Sequence, residues 1–257
     1  MPAREKINVL GVGVDPLTVE ELHERMLGFV ENGDHALVLH ANAHGLNLAC
    51  RDERLRGFLN GAQIVFCDGA GVMLAARLLG RRIPERITYA DWTWKLAAFA
   101  EERGFSLFFL GARPGVAQKA ARRLEYRFPK LRIAGAEHGY FDRTPGSPEN
   151  ETVIKKINAA RPDVLLVGFG MPLQELWLAE NWEKVDANVA LTGGAVFDYV
   201  SGELRRGPRF LTDHGLESVA RLMVEPRRMW RRYVVGNPLF LLRVLKQRLG
   251  CGAARRA

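Results

Sequence analysis

Short apolar runs alternate with longer amphipathic stretches through about residue 202. The runs Ile7–Leu10, Ala36–Leu39, Ile64–Phe66, Ser106–Leu110, Arg132–Ala136, Val164–Val167 and Val189–Leu191 read as strands. Several are near-continuous in Val, Ile, Leu and Phe, as strands buried on both faces are. Helical spacing fills the intervals. Thr18 followed by Glu21 forms a capping box for a helix reaching about Val30. Asp52 is placed to cap a helix carrying Leu55, Phe58 and Leu59. Gly71–Leu79, Asp91–Arg103, Gly115–Arg127, Glu151–Ala160 and Pro172–Trp182 continue the pattern, with Pro172 at a first helical position. Gly80, Gly104 and Pro129 mark helix ends. The alternation predicts an α/β fold, a mostly parallel sheet with helices on both faces.

The pattern changes after about Gly202. No further strand is expected. Glu217–Trp230 has helical spacing, Gly236-Asn237-Pro238 is expected to break it, and Leu239–Leu249 resumes it. The predicted organisation is a body, residues 1–202, followed by a helical appendage, residues 203–257. No internal repeat or low-complexity tract interrupts either part.

Composition narrows the class. Of 257 residues, 47% are hydrophobic and 9% aromatic, which excludes a disordered chain and suffices for a sizeable core. Three cysteines, Cys50, Cys67 and Cys251, are odd in number and lack CxxC spacing. A disulfide scaffold is excluded and a zinc site is not suggested. Met1–Lys6 is charged and leads into no signal-peptide core, and no stretch of about 18 apolar residues occurs. The expectation is a soluble, cytoplasmic protein. The net charge of +8 is unevenly placed: from Arg205 onward there are 13 Lys/Arg and 3 Asp/Glu, leaving residues 1–204 at −2. A basic tail suits phosphate groups, nucleic acid or anionic lipid, or forms a solvated helix face.

In open parallel sheets, ligands bind beyond the carboxyl ends of the strands. After the first run comes Gly11-Val-Gly-Val-Asp15, with Pro16 where a third glycine of GxGxxG would stand. A tight strand-to-helix turn explains it better than a dinucleotide fingerprint. After the second comes His40-Ala-Asn-Ala-His44. His40 and His44 have no acidic residue arranged as in HExxH, so no metal is expected, and Asn42 suits a helix cap as well as a ligand role. After the third comes Cys67-Asp68-Gly69-Ala-Gly71. A carboxylate at a buried strand end, followed by glycines that let a ligand approach, makes Asp68 a candidate general base, the rival role being a helix cap. Arg86, after Pro84-Glu85, is a candidate phosphate ligand or a surface loop residue. Phe109–Gly115 and Gly168–Glu175 both read as strand, glycine turn, proline, helix, and such helix N-termini attract anions. Thr192-Gly193-Gly194 brings backbone close to a ligand, and Asp198 could bind ribose hydroxyls. Several anion-friendly turns on one edge suggest a nucleotide.

These segments resemble the WecG/TagA/CpsF glycosyltransferases. The matching stretches are Ala41–Ala43, Asp68–Val72, Leu78–Gly80 with Pro84–Arg86, Phe109–Ala117, His138–Phe141, Gly168–Trp177, Gly193–Asp198 and Glu225–Arg228, in family order from about residue 7 to 248. The resemblance implies a Rossmann-like fold and inverting transfer of a hexose or N-acetylhexosamine-type sugar. The donor is a UDP-sugar, and the acceptor is a polyprenyl-diphosphate-linked saccharide in cell-surface polysaccharide synthesis. It implies no metal or other cofactor, and no Asp-x-Asp occurs in the chain. It places the base on Asp68 and an active-site arginine on Arg86. Nucleotide-proximal positions fall on Gly139, Tyr140, Gln174, Gly193 and Asp198. The appendage, with Arg221, Arg227, Arg228, Arg231 and Arg232, would complete the site and dock on the inner face of the membrane. One departure stands out: where many relatives have Thr-x-Asn, this chain has His40-Ala-Asn42. Either His40 takes over a polar role or the acceptor differs.

Within the tail, Trp230, Tyr233–Val235 and Leu239–Leu242 lie among seven cations between Arg227 and Arg248. That fits an interfacial segment, or an amphipathic helix packed on the body, or both on different faces. Two rival readings are another nucleotide-dependent α/β enzyme and a basic-tailed nucleic-acid-binding protein. The missing GxGxxG disfavours a dehydrogenase, and no nucleic-acid motif is present, so no nucleic-acid partner is expected. The pattern leaves self-association as a homo-oligomer open.

Overall fold

The computed structural model describes residues 4–207, 210 and 217–254, with backbone alone for Arg228 and residues 251–254. The elements run β1 (Ile7–Val9), β2 (Val12–Val14), α1 (Val19–Glu31), β3 (Ala36–Ala41), α2 (Ala43–Ala49), α3 (Glu53–Gly61), β4 (Ile64–Cys67), α4 (Ala70–Leu78), α5 (Tyr89–Arg103) and β5 (Ser106–Gly111). They continue with α6 (Val116–Arg127), β6 (Arg132–Glu137), α7 (Pro148–Ala160), β7 (Val164–Gly168), α8 (Leu173–Asn181), β8 (Val189–Thr192) and α9 (Val196–Ser201). The tail holds α10 (Glu217–Val224), α11 (Pro226–Trp230), a π-helical turn (Arg231–Val235) and α12 (Gly236–Ala254). Six strands form one sheet in the order β4-β3-β8-β7-β5-β6. The pairs β3–β8, β8–β7, β7–β5 and β5–β6 are all parallel. This is the expected Rossmann-like α/β architecture, and no strand follows Gly202 among the described residues.

The first apolar run departs from expectation. β1 does not join the parallel sheet but pairs antiparallel with β2, Val9 opposite Val12. Gly11-Val-Gly is therefore a hairpin and not a strand-to-helix turn. Leu10 (φ 56°) and Gly11 (φ 85°) both occupy the left-handed region that a two-residue primed turn requires. That conformation is uncommon for leucine. The tail holds it: Gln247 Oε1 accepts from the Leu10 N–H (2.9 Å), and its Nε2 donates to the Asn8 carbonyl (3.0 Å). Asp15 fixes the hairpin beside β4. Its N–H donates to the Val65 carbonyl (2.7 Å), its Oδ2 accepts from the Val65 N–H (2.8 Å), and Lys6 Nζ lies 3.2 Å from the same oxygen.

By packing, the chain separates into two compact units. One comprises Met1–Thr18, His40–Thr88 and Arg205–Ala257, and the other Val19–Leu39 and Tyr89–Leu204. The division differs from a single boundary near residue 202, because the tail has its own anchorage in the first unit. There α12 packs on α2 and α4, burying Phe240 and Val244. Asn47 clamps it: Nδ2 donates to the Gly236 carbonyl (2.7 Å), while Arg243 Nη1 donates to Asn47 Oδ1 (2.7 Å) and to its carbonyl (3.1 Å). Arg248 donates to the Leu78 carbonyl at the end of α4.

Two tail expectations are corrected. Glu217–Trp230 is not one helix, because Glu225 turns extended-like before Pro226 (φ −131°, ψ 61°), as a residue preceding proline tends to. Gly236-Asn237-Pro238 does not break the chain's helical course. Pro238 falls in the first turn of α12, where its missing N–H matters least. The Gly236 N–H meanwhile reaches the Arg231 carbonyl five residues back, through the π turn.

In the second unit, β5, β7 and β8 are buried along their whole lengths, while β6 is a half-exposed edge. A buried polar chain closes the region behind α8. Trp177 Nε1 donates to Asn150 Oδ1, Asn150 Nδ2 to Asn181 Oδ1, and Asn181 Nδ2 to the Trp177 carbonyl, at 2.7, 2.8 and 2.8 Å. Each amide is thereby satisfied where an orphan would cost about 1–3 kcal/mol.

Candidate active site

In the first unit, His40, near the end of β3, and Asp68, directly after β4, stand at neighbouring strand ends. The Asp68 N–H donates to the Ala41 carbonyl (2.9 Å), which fixes the chain as it leaves β4. Gly69 follows with φ 117° and ψ 148°, a conformation open to glycine alone, and α4 starts at the next residue. Asp68 therefore does not cap α4, and its carboxyl is left for other contacts. His40 is almost fully buried, and its Nε2 stands 3.8 Å from Asp68 Oδ2, the carboxyl side chain retaining 21% exposure. The Phe66 ring lies 6.1 Å from the imidazole.

The Asp68 carboxyl is pushed up to about 7, first by burial and then by Glu217, against the lowering pull of Arg232, Arg221 and Arg86. An acid in this range is half ionised near neutral pH, where a general base works best. Arg86 reaches this neighbourhood because its loop is tied to β4 by the Ile87 N–H to the Cys67 carbonyl (3.0 Å). The tail supplies the rest. Arg221, in α10, lies 3.7 Å from Glu225 across one helical turn, both half-buried. Arg232 lies in the π turn, half-buried, and also helps burial press His44 down to about 4.

Of the five tail arginines expected at the site, Arg221 and Arg232 act on Asp68. Arg227 and Arg231 are exposed, Arg231 over the Trp230 ring at 5.3 Å. The Arg228 side chain lies outside the described residues. Asn42 is a helix cap: its Oδ1 accepts from the Gly45 N–H (2.9 Å).

The second unit carries the glycine turns, which touch backbone to backbone. A Cβ on Gly111 would stand 2.4 Å from the Gly168 carbonyl oxygen, and one on Gly168 would stand 2.8 Å from that of Gly194. Gly139 is buried, its N–H on the Ala112 carbonyl (2.9 Å), with no room for a side chain beside Phe169. Tyr140 is exposed. Gly193 is buried and donates to the Val167 carbonyl (2.7 Å). Gln174 is fully buried. Its Oε1 accepts from the Gly170 N–H (3.1 Å) and the Gly194 N–H (2.9 Å), and its Nε2 donates to Glu175 Oε1 (2.7 Å). It shapes the turns from inside. Asp198 lies half-exposed in α9, a helix that the sequence did not reveal, and its carbonyl accepts from the Leu204 N–H (2.9 Å).

Sequence reasoning missed Glu217, Asn47 and Glu175. Glu217 carries a faint signal, as one of three acids in the strongly basic tail. Asn47 and Glu175 carry none, because their partners lie on other segments or in a buried amide orientation. Among the described residues no group of three His, Cys, Asp or Glu is arranged to hold a metal ion, and no helix is long and apolar enough to cross a membrane.

The chain is 27% identical over 243 residues to a Staphylococcus aureus (strain NCTC 8325) protein named N-acetylglucosaminyldiphosphoundecaprenol N-acetyl-beta-D-mannosaminyltransferase, spanning 94% of this chain and 92% of that one. Its counterparts in strains COL and MRSA252 match to the same extent. The model of the glycosyl transferase WecG/TagA/CpsF family matches residues 7–253, and the chain belongs to that family of glycosyltransferases.

Proposed function

We propose that the protein transfers a hexose or N-acetylhexosamine-type sugar from a UDP-sugar to a polyprenyl-diphosphate-linked saccharide, with inversion and without a divalent metal. The carrying observation is Asp68, a recessed carboxyl held near pH 7 with Arg86, Arg221 and Arg232 acting on it. In this reading the Asp68 carboxylate takes the proton of the acceptor hydroxyl. The freed oxygen attacks the anomeric carbon, the bond from that carbon to the diphosphate breaks, and UDP leaves with the electron pair on the face opposite attack. The arginines meet the diphosphate charge. His40, beside Asp68, and the amide N–H groups of Asn42 orient the acceptor. In the second unit, the turns at Gly139–Tyr140 and Gly193–Gly194 let the nucleotide approach the backbone closely, and the Asp198 carboxylate accepts from its ribose hydroxyls.

The S. aureus relative's name places its sugar on a diphosphoundecaprenol-linked acceptor, which supports a lipid-linked acceptor here. The tail supports docking on the cytoplasmic face of a membrane. While Phe240 and Val244 are buried, Trp230, Val234, Val235, Leu242, Leu245 and Leu249 remain exposed among Arg227, Arg231 and Lys246. An exposed apolar face with cations and an aromatic residue fits an interface. Each cation near an anionic leaflet adds about 1 kcal/mol.

The test incubates the protein with a panel of UDP-, GDP- and dTDP-sugars and a short-chain polyprenyl-diphosphate-linked N-acetylglucosamine, with phosphatidylglycerol vesicles. The reading expects UDP release coupled to a longer lipid-linked product from at least one donor, and loss of both with Asp68→Asn. Coupled product from a non-uridine donor alone, or an undiminished Asp68→Asn rate, overturns it.

A further inference from the structure

Glu175 is the one acid of the second unit sealed inside the protein, at 1% exposure. Its Oε1 accepts from Gln174 Nε2, and its Oε2 makes no hydrogen bond. Burial pushes its carboxyl up to about 7, while the Gln174 amide bond and its own backbone N–H pull down, and no charged side chain contributes. Glu180, the other acid of α8 near it in sequence, is exposed. A buried carboxyl with an orphan oxygen is costly, and an apolar side chain of like size would avoid that cost.

The benefit lies one residue away. An amide side chain can be turned over, exchanging its oxygen and nitrogen. In one orientation Gln174 accepts from both Gly170 and Gly194, bracketing the turns after β7 and β8. In the other its NH2 would face two N–H donors and the bracket would open. An acceptor at Glu175 Oε1 adds to the two glycine N–H groups in selecting the first orientation.

We propose that Glu175 is a positioning residue that locks the Gln174 bracket, and so holds the Gly168–Gly170 and Gly193–Gly194 turns in the form that receives the nucleotide diphosphate. The nucleotide part rests on the function proposed above.

The experiment titrates the full chain with UDP by calorimetry, and measures amide exchange at Gly170 and Gly194. Glu175→Leu, which cannot accept, should bind UDP about tenfold more weakly, with faster exchange at both glycines. Glu175→Gln keeps an acceptor without a charge. It should retain wild-type affinity and wild-type exchange at both glycines. Wild-type affinity and exchange in Glu175→Leu overturn the proposal, as does exchange in Glu175→Gln as fast as in Glu175→Leu; should Glu175→Leu not fold, Glu175→Met, an unbranched side chain without an oxygen acceptor, takes its place with the same outcomes. If wild type binds no UDP, the nucleotide reading fails. Exchange at Gly170 and Gly194 then judges the bracket alone, and equal protection in wild type and Glu175→Leu overturns that as well.

Discussion

Asp68 and Glu175 are two acids that burial raises to the same range, about 7, in different units of the molecule. Their surroundings divide their roles. Asp68 keeps 21% exposure, has an imidazole 3.8 Å away, and feels one acid and three arginines. Glu175 is sealed, bonds one amide and feels no charged side chain. A perturbed carboxyl by itself does not mark a catalytic group. In the proposed reading, access and neighbouring charge separate a base that can reach a substrate from a brace that cannot.

The contrast is most exposed to substitution by the neutral isostere. Asp68→Asn should lower transfer by about a thousandfold while UDP binding survives, whereas Glu175→Gln at pH 6.5 should stay within roughly threefold of wild type. Equal losses in steady-state assays of the two variants would erase the distinction. Arg86→Ala should slow transfer by about 10- to 100-fold. It should also move the acid limb of the pH–rate profile upward, because Arg86 holds the Asp68 carboxyl down. Glu217→Gln should move that limb the other way, and neither change should alter amide exchange at Gly170 and Gly194.

Smaller effects concern stability. Asn47→Ala removes the clamp on α12 and should lower unfolding free energy by about 1–3 kcal/mol in denaturant titrations. Both acids have folded values raised above their ordinary ones, from 3.8 and 4.5. The stability each contributes is full below its unfolded value and is lost as pH rises through about 7. Wild type should thus lose stability between pH 5 and 8.5. Asp68→Asn and Glu175→Gln should each recover on the order of 1 kcal/mol or more at pH 8.5, the more exposed Asp68 the less. The smallest expected effect is none: EDTA should leave the transfer rate unchanged, and a strict divalent requirement would displace the arginine account.

Much of the second unit was legible in the chain. Val164–Val167 and Val189–Leu191 are apolar throughout because they are buried on both faces, and the glycine turns after them announce close backbone approach. Asp68, at the end of a buried strand, was equally visible. The hairpin was not, because Leu10 adopts a left-handed conformation that sequence rules reserve mainly for glycine, held by the distant Gln247. Nor was the continuity of the tail through Pro238, which depends on the π turn before it.

The sequence by itself determined the alternation of strands and helices, the basic tail and the positions of Asp68, Arg86 and the glycine turns. Those features rest on local periodicity, turn chemistry and charge. Only the tertiary structure decided which charges act on Asp68, that Arg221, Arg232 and Glu217 do while the exposed Arg227 and Arg231 do not, and which way Gln174 faces. Burial, summed electrostatic fields and amide orientation depend on groups far apart in the chain, and no local pattern encodes them.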